Sequence, residues 1–213
     1  MGAVLRVDEE IPPENRQEAV RYYRALFGNA NPLVVELGSG NGHFLVDLAE
    51  RRPDRNYIGT EILSGRTEKF RAKVEKRRLA NVVIFRGEIR RFVWEFLHED
   101  MVEEFVALFP DPWPKKRHHK HRLINRPFID MLELRLVPGG LVSIATDSRE
   151  YLEWILEAFD SRPGFRNLFG GGISSGYVPY PDDYPETLFL RRFREQGREV
   201  YFMRFRKDER GGA

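Results

Sequence analysis

Apolar residues along this chain fall into two patterns that take turns from residue 33 onward. Compact runs at residues 33–37, 57–60, 82–85, 105–109, 141–145 and 200–205 have the length of strands. Between them lie segments with apolar residues three and four apart, the period of a helix packed on one face. They cover residues 14–27, 43–51 and a basic stretch at 64–78. Three more carry Ile89, Phe92, Val93 and Phe96; Phe128, Met131, Leu132 and Leu136; and Leu152, Ile155, Leu156 and Phe159, the last set starting at Asp147. Pro53 and Pro110 punctuate a helix and a strand, and Pro138-Gly139-Gly140 reads as a tight turn.

Strands alternating with helices at this spacing predict an α/β fold: a doubly wound, mostly parallel sheet with helices on both faces and right-handed crossovers. The strand at 200–205 is expected to close one sheet edge. No internal repeat or long linker divides the chain, so residues 1–213 are read as a single domain, with residues 1–30 as a helical N-terminal extension. Glycine, serine and proline crowd residues 170–186, which predicts a flexible loop beside the substrate.

Composition narrows the class. With no cysteine, disulfides and thiolate metal sites are excluded. Residues 1–13 lack the basic start and apolar stretch of a signal peptide. No apolar run approaches the roughly 20 residues needed to span a bilayer. A cytoplasmic protein without a membrane partner is therefore expected. The net charge of +2 says little, but its distribution says more. Residues 115–122 hold five Lys/Arg and no acid, and residues 191–207 hold seven Lys/Arg against Glu195 and Glu199. Concentrated positive charge on a near-neutral body suits a polyanionic partner, although solvated surface would look the same in isolation.

Ligands of open α/β sheets bind beyond the carboxyl ends of the strands, near the topological switch point. Glu36-Leu37-Gly38-Ser39-Gly40-Asn41-Gly42 stands at the end of the first predicted strand. Alternate glycines allow a sharp turn and close approach of a ligand. A nicotinamide site would place a third glycine at the position of His43, so a dinucleotide is disfavoured. Glu36, Gly38, Gly40 and Gly42 instead resemble the first motif of Rossmann-like methyltransferases, whose sulfonium cofactor carries no phosphate. Glu61, 19 residues after Gly42, is placed either to accept from ribose hydroxyls or to start the next helix. Glu88, after the third strand, is a third candidate, near the adenine.

The segment after the fourth strand is Pro110-Asp111-Pro112-Trp113-Pro114-Lys115-Lys116-Arg117-His118-His119-Lys120-His121-Arg122. Three prolines in five residues stiffen the backbone that carries Asp111 and Trp113. The cations that follow suit phosphates, and Trp113 is either a stacking surface for a base or a core residue. His118, His119 and His121 crowd together, but with no cysteine or separate acidic partner they are not read as a metal site.

This segment resembles the signature of the bacterial tRNA (guanine-N7)-methyltransferases, and ELGSGNG, IGTE and ATD stand around it in the expected order, from about residue 33 to 205. The resemblance implies a Rossmann-like methyltransferase fold and transfer of a methyl group from S-adenosyl-L-methionine to N7 of the guanosine at tRNA position 46, in the variable loop. It implies that Glu36, Glu61, Glu88 and Asp111 line the cofactor site and that Asp111 is the catalytic candidate. Lys115, Asp147 and Thr187 would meet the substrate, and Arg117, His118, His119, Lys120, His121 and Arg122 would contact RNA. Asp147 also begins an Asp-x-x-Glu pattern that could be a helix cap. Methylation of another RNA atom and a non-catalytic RNA-binding role remain as alternatives. Two departures stand out: Glu88 replaces the family's Asp, and Leu190 replaces the Glu of a Thr-x-x-Glu motif that begins at Thr187, with Glu186 as a candidate substitute. Oligomeric state is not legible.

Overall fold

The computed structural model describes residues 3–172, 174–182 and 184–209. In chain order the elements are β1 (Ala3–Arg6), α1 (Arg16–Phe27), β2 (Leu33–Leu37), α2 (His43–Arg51), β3 (Asn56–Glu61), α3 (Ser64–Lys76), β4 (Val82–Arg86), α4 (Ile89–Glu95) and β5 (Val102–Leu108). A 3-10 helix (Lys116–His121) follows, then α5 (Arg126–Arg135), β6 (Leu136–Thr146), α6 (Arg149–Asp160), β7 (Phe165–Asn167), α7 (Leu188–Glu195) and β8 (Tyr201–Lys207).

Eight strands form one sheet in the order β1-β4-β3-β2-β5-β6-β8-β7. The pairings from β1 to β6 are parallel, whereas β8 runs antiparallel to both β6 and β7. The chain runs outward from β2 through β3 to β4, then returns to place β5 on the other side of β2. The carboxyl ends of β2 and β5 therefore flank the switch point where such sheets bind ligands. Every residue of β2 and β3 is buried, as expected of parallel strands covered on both faces. Along β2, Leu33, Val35 and Leu37 point into one core with α1, α4, α5 and α6, while Val34 faces the other with α2, α3 and Leu190 of α7. Local chemistry sets the helix ends. Asn15 caps α1 by accepting from the Glu18 N–H, and Gly28 ends it in the left-handed conformation.

Several details differ from the sequence expectations. The 1–30 extension contributes a strand as well as a helix: Ala3–Arg6 pairs with β4 at the sheet edge. Pro138-Gly139-Gly140 lies within β6 rather than ahead of it; Val102 pairs with Leu136 and Glu104 with Leu141, so a bulge absorbs the extra residues, with Gly139 at φ 76°. The last strand does not form the edge, because β7 covers it. In the segment read as a flexible loop, Tyr180 and Tyr184 are buried and Val178 bridges to Phe202. The Tyr184 hydroxyl donates to Glu104, which also accepts from Ser143 at 2.6 Å, so this segment is fastened to the sheet. Residues 173 and 183 of that segment, and residues 1 and 2 of the N-terminal extension, lie outside the described residues.

Candidate active site

The glycine-rich turn between β2 and α2 is held open by backbone geometry. Gly38, Gly40 and Gly42 have φ of 89°, 54° and 72°, a region closed to most side chains. They serve different ends. A side chain on Gly42 would strike the Phe70 ring of α3 at 2.0 Å, whereas one on Gly40 would meet nothing within 4 Å. Gly42 thus lets α3 pack, while Gly40 borders open space. Thr60 of β3 clamps the turn from beneath: its hydroxyl donates to the Glu36 carbonyl and accepts from the Gly38 N–H, each at 3.0 Å. Lys73 of α3 donates to the Asn41 carbonyl at 2.8 Å.

This turn leaves polar groups wanting. Glu36 Oε2, Ser39 Oγ and Asn41 Oδ1 are buried without a hydrogen-bond partner. Burial, reinforced by the charge of Glu61, raises the Glu36 carboxyl to about 7. Buried groups without partners cost free energy, so three of them in one turn mark a place where a ligand supplies the partners. Nearby, α2 starts at Gly42 with no side-chain cap, which leaves amide donors at its N-terminus. A small molecule bearing an ammonium, a carboxylate and a hydroxylated ring fits this donor and acceptor set.

The other predicted acids sit around the same end of the sheet with different degrees of commitment. Glu61 is 5% exposed, and its Oε1 accepts from the backbone N–H groups of Ile62 and Leu63 at 2.9 and 2.8 Å. Its Oε2 has only Arg66, at 3.9 Å. Glu88 is exposed and caps α4 through the Arg91 N–H at 2.7 Å, so this longer acid keeps the capping chemistry of an Asp. Asp111 is exposed in the proline-rich loop after β5, whose flanking Phe109 and Trp113 have φ of 56° and 44°. At 36% exposure Trp113 is not a core residue; its ring packs against His121 and His118 with centroids 5.1 and 5.7 Å away.

The cationic run divides into two faces. Lys115, Lys116, Arg117, Lys120 and His121 are exposed, and His118 is half-buried. Arg122 is the exception. At 1% exposure it cannot meet RNA, and its guanidinium is engaged by Pro112, Glu150, Tyr151 and Trp154. His119 is also turned inward, with Nε2 3.1 Å from Glu150 Oε1 and its ring against Trp154. No group of three or more His, Asp or Glu among the described residues is arranged to hold a metal ion.

Asp147 does not cap α6. Ser148 does, by accepting from the Tyr151 N–H at 3.3 Å, and Asp147 is left at the end of β6 in an ion pair with Arg198. Thr187 is buried and caps α7 through the Leu190 N–H at 2.9 Å. Leu190 itself is 1% exposed within the core, so the missing carboxylate is replaced by packing. Glu186 pairs with Arg191 and Arg194 and does not take its place. Sequence reasoning missed Thr60, Lys73, Arg90, Glu150, Trp154 and Arg198. Thr60 and Glu150 lie within patterns that the sequence does show, IGTE and Asp-x-x-Glu, but nothing local assigns them these partners, and nothing local marks the other four.

Comparison with known proteins identifies the family and the fold. A family model described as "Putative methyltransferase" matches residues 30–203. A tRNA (guanine-N(7)-)-methyltransferase of Halorhodospira halophila is 37% identical over 85% of this chain and 77% of its own length. That of Chromohalobacter salexigens is 36% identical over 83% and 72%. Among solved structures, the 16S rRNA methyltransferase KamB superposes with a TM-score of 0.63 at 15% identity, over 98% of this chain and 100% of that one. At that identity the likeness shows the fold alone, here the Rossmann-like methyltransferase fold. From the motif after β5, the turn after β2 and relatives matched over most of their length, the chain belongs to the tRNA (guanine-N(7)-)-methyltransferase family.

Proposed function

We propose that this protein transfers a methyl group from S-adenosyl-L-methionine to N7 of a guanosine in tRNA, at position 46 of the variable loop. The observation that carries the reading is the pairing, across the β2/β5 switch point, of three unpartnered buried acceptors with a rigid loop that bears Asp111 and exposed cations. The named activity of the relatives agrees with it. The whole chain works as one methyltransferase domain in the cytoplasm; among the described residues no helix is long and apolar enough to cross a membrane.

S-adenosyl-L-methionine, when bound, supplies a methyl group already activated by its sulfonium. Glu36 and the amides of the Gly38, Gly40 and Gly42 turn would hold its amino acid end. Glu61 would accept from the ribose hydroxyls, and Glu88 and Asp111 would border the rest of the site. Guanine N7 has an in-plane lone pair and no proton, so the protein has no proton to remove. Its task is alignment, which alone can lower a barrier by several kcal/mol. The product ring is cationic, and a carboxylate beside it stabilises the charge that develops. Asp111 sits on the stiff loop suited to that role. Asp147 already accepts a guanidinium from Arg198, and the N1–H and N2–H of guanine offer the same kind of paired donors. Lys115, Lys116, Arg117, His118, Lys120 and His121 would neutralise phosphates and set the orientation of the RNA. Arg122 and Thr187 have no direct substrate role in this reading.

The test is incubation with S-adenosyl-L-methionine and unmodified tRNA, followed by nucleoside mass spectrometry. A parallel tRNA carries adenosine in place of the guanosine at position 46. 7-Methylguanosine is expected in the first and absent from the second. A different methylated nucleoside would move the target, and no product despite cofactor binding would sink the reading.

A further inference from the structure

The charge run after β5 contains one arginine that behaves unlike the others. Arg122 is the largest side chain buried to below 2% exposure. Burying a guanidinium is costly unless its charge and donors are met. Here they are met on several sides. Nε donates to the Pro112 carbonyl at 2.8 Å, and Nη2 donates to Glu150 Oε1 at 2.9 Å. The Tyr151 and Trp154 rings lie 5.1 and 5.0 Å from Cζ.

The backbone that carries Arg122 is equally fixed. Arg90 Nη2 donates to the carbonyls of Arg122 and Leu123, each at 3.0 Å. Ile124 is gripped through both backbone groups: its N–H donates to the Tyr151 hydroxyl at 3.1 Å, and its carbonyl accepts from Trp154 Nε1 at 2.9 Å. These braces come from α4 and α6, which belong to the scaffold. The loop they serve holds Pro112 between Asp111 and Trp113. Trp113 is itself in a left-handed conformation that needs outside support.

We propose that Arg122 is a positioning residue for methyl transfer: through the Pro112 carbonyl it ties the loop bearing Asp111 and Trp113 to α6, with Glu150 as its counter-ion. This rests on the reading of that loop as the one facing the reacting methyl group. Planar geometry explains the residue type, since Arg spans the carbonyl and the carboxylate with a rigid fork while lying against two rings of α6. A lysine has the charge without the fork.

The test separates positioning from RNA contact and from mere stability. In Arg122→Ala, kcat with tRNA is expected to fall about 10- to 100-fold, the scale of a misplacement near 1 Å. KM for tRNA and the salt dependence of binding stay near wild type. Arg122→Lys recovers part of kcat. Glu150→Gln, which removes the charge at a half-exposed position but keeps an acceptor for Nη2, lowers kcat about 3- to 10-fold by the loss of one charged hydrogen bond. Amide exchange of residues 111 to 119 rises in Arg122→Ala, a readout that needs no activity. A raised KM with a flatter salt response would overturn the proposal in favour of an RNA contact. An unchanged kcat with only a lower Tm would overturn it in favour of a structural role. Wild-type protein that methylates no tRNA would instead sink the functional reading, with the exchange result still reporting on the brace.

Discussion

The two ends of the site are built on opposite principles. Around Glu36 the backbone is settled and the side chains are not: Thr60, Lys73 and three positive-φ glycines fix the turn, yet three buried polar atoms have no partner. Around residues 110–122 the buried Arg122 is held by a carbonyl, a carboxylate and two rings, while the outer cations wait in solvent. The first arrangement stores a need that one small ligand meets. The second offers a prefabricated surface to a large one, at no cost to the fold. A buried carboxylate suits a tight, desolvated cofactor, and exposed charge suits a polyanion that must also leave.

The sharpest way to break this contrast is Glu36→Gln. Cofactor affinity is expected to fall about 100-fold, the upper end for loss of a charged hydrogen bond, here in a buried site, as read by equilibrium dialysis. The free protein should become more stable. A carboxyl raised from 4.5 to about 7 on folding keeps its proton across that window, so stability is lost as pH rises from 4.5 to 7 and stays lost above it. Removing the charge should recover up to about 3 kcal/mol at pH 8, measured by urea unfolding. A destabilised variant would contradict the claim that Glu36 waits for its ligand.

Next in size is Asp147→Asn, expected to lower kcat/KM for tRNA by about 10- to 100-fold while cofactor affinity holds, as for loss of one charged hydrogen bond. The pH profile follows: cofactor affinity should drop about tenfold per unit below pH 7, because Glu36 must shed its proton, and calorimetry in buffers of different ionisation heat would detect that proton. On the outer face, Lys116→Glu with Arg117→Glu should raise KM for tRNA about tenfold and reduce the salt slope by about 1 to 2, without touching cofactor binding. Smallest is Thr187→Ala. Loss of the α7 cap should cost about 1 kcal/mol and leave kcat within twofold. A large loss of kcat there would restore Thr187 to the substrate site.

The same contrast explains what the sequence revealed. The elements that carry the switch point were legible because buried parallel strands are continuous apolar runs, and β2 and α2 fall on the expected residues. Glu36 and the glycines could be read because the turn's chemistry is local. Arg122 could not. In the linear chain it is one more cation, and only α6, nearly thirty residues on, turns it inward. Asp147 and Ser148 show the same limit, since either could cap a helix and the hydroxyl does. Glu88 was legible as an acid at the right place, but the capping bond it makes depends on where α4 starts.

The strand Ala3–Arg6 bears on solubility. A sheet ends in rows of unpaired amides and carbonyls, which invite other chains to add on. Here the two outermost strands are only 4 and 3 residues long. Behind the first lies Val82-Val83-Ile84-Phe85, all buried, and the last three of them pair with it in register. Those four residues, uncovered, would make an adhesive edge of the kind that seeds aggregates. A stretch far from the methyl-transfer chemistry thus serves as the selvedge of the sheet, and its removal should appear first as particles in light scattering, before any loss of turnover per folded molecule.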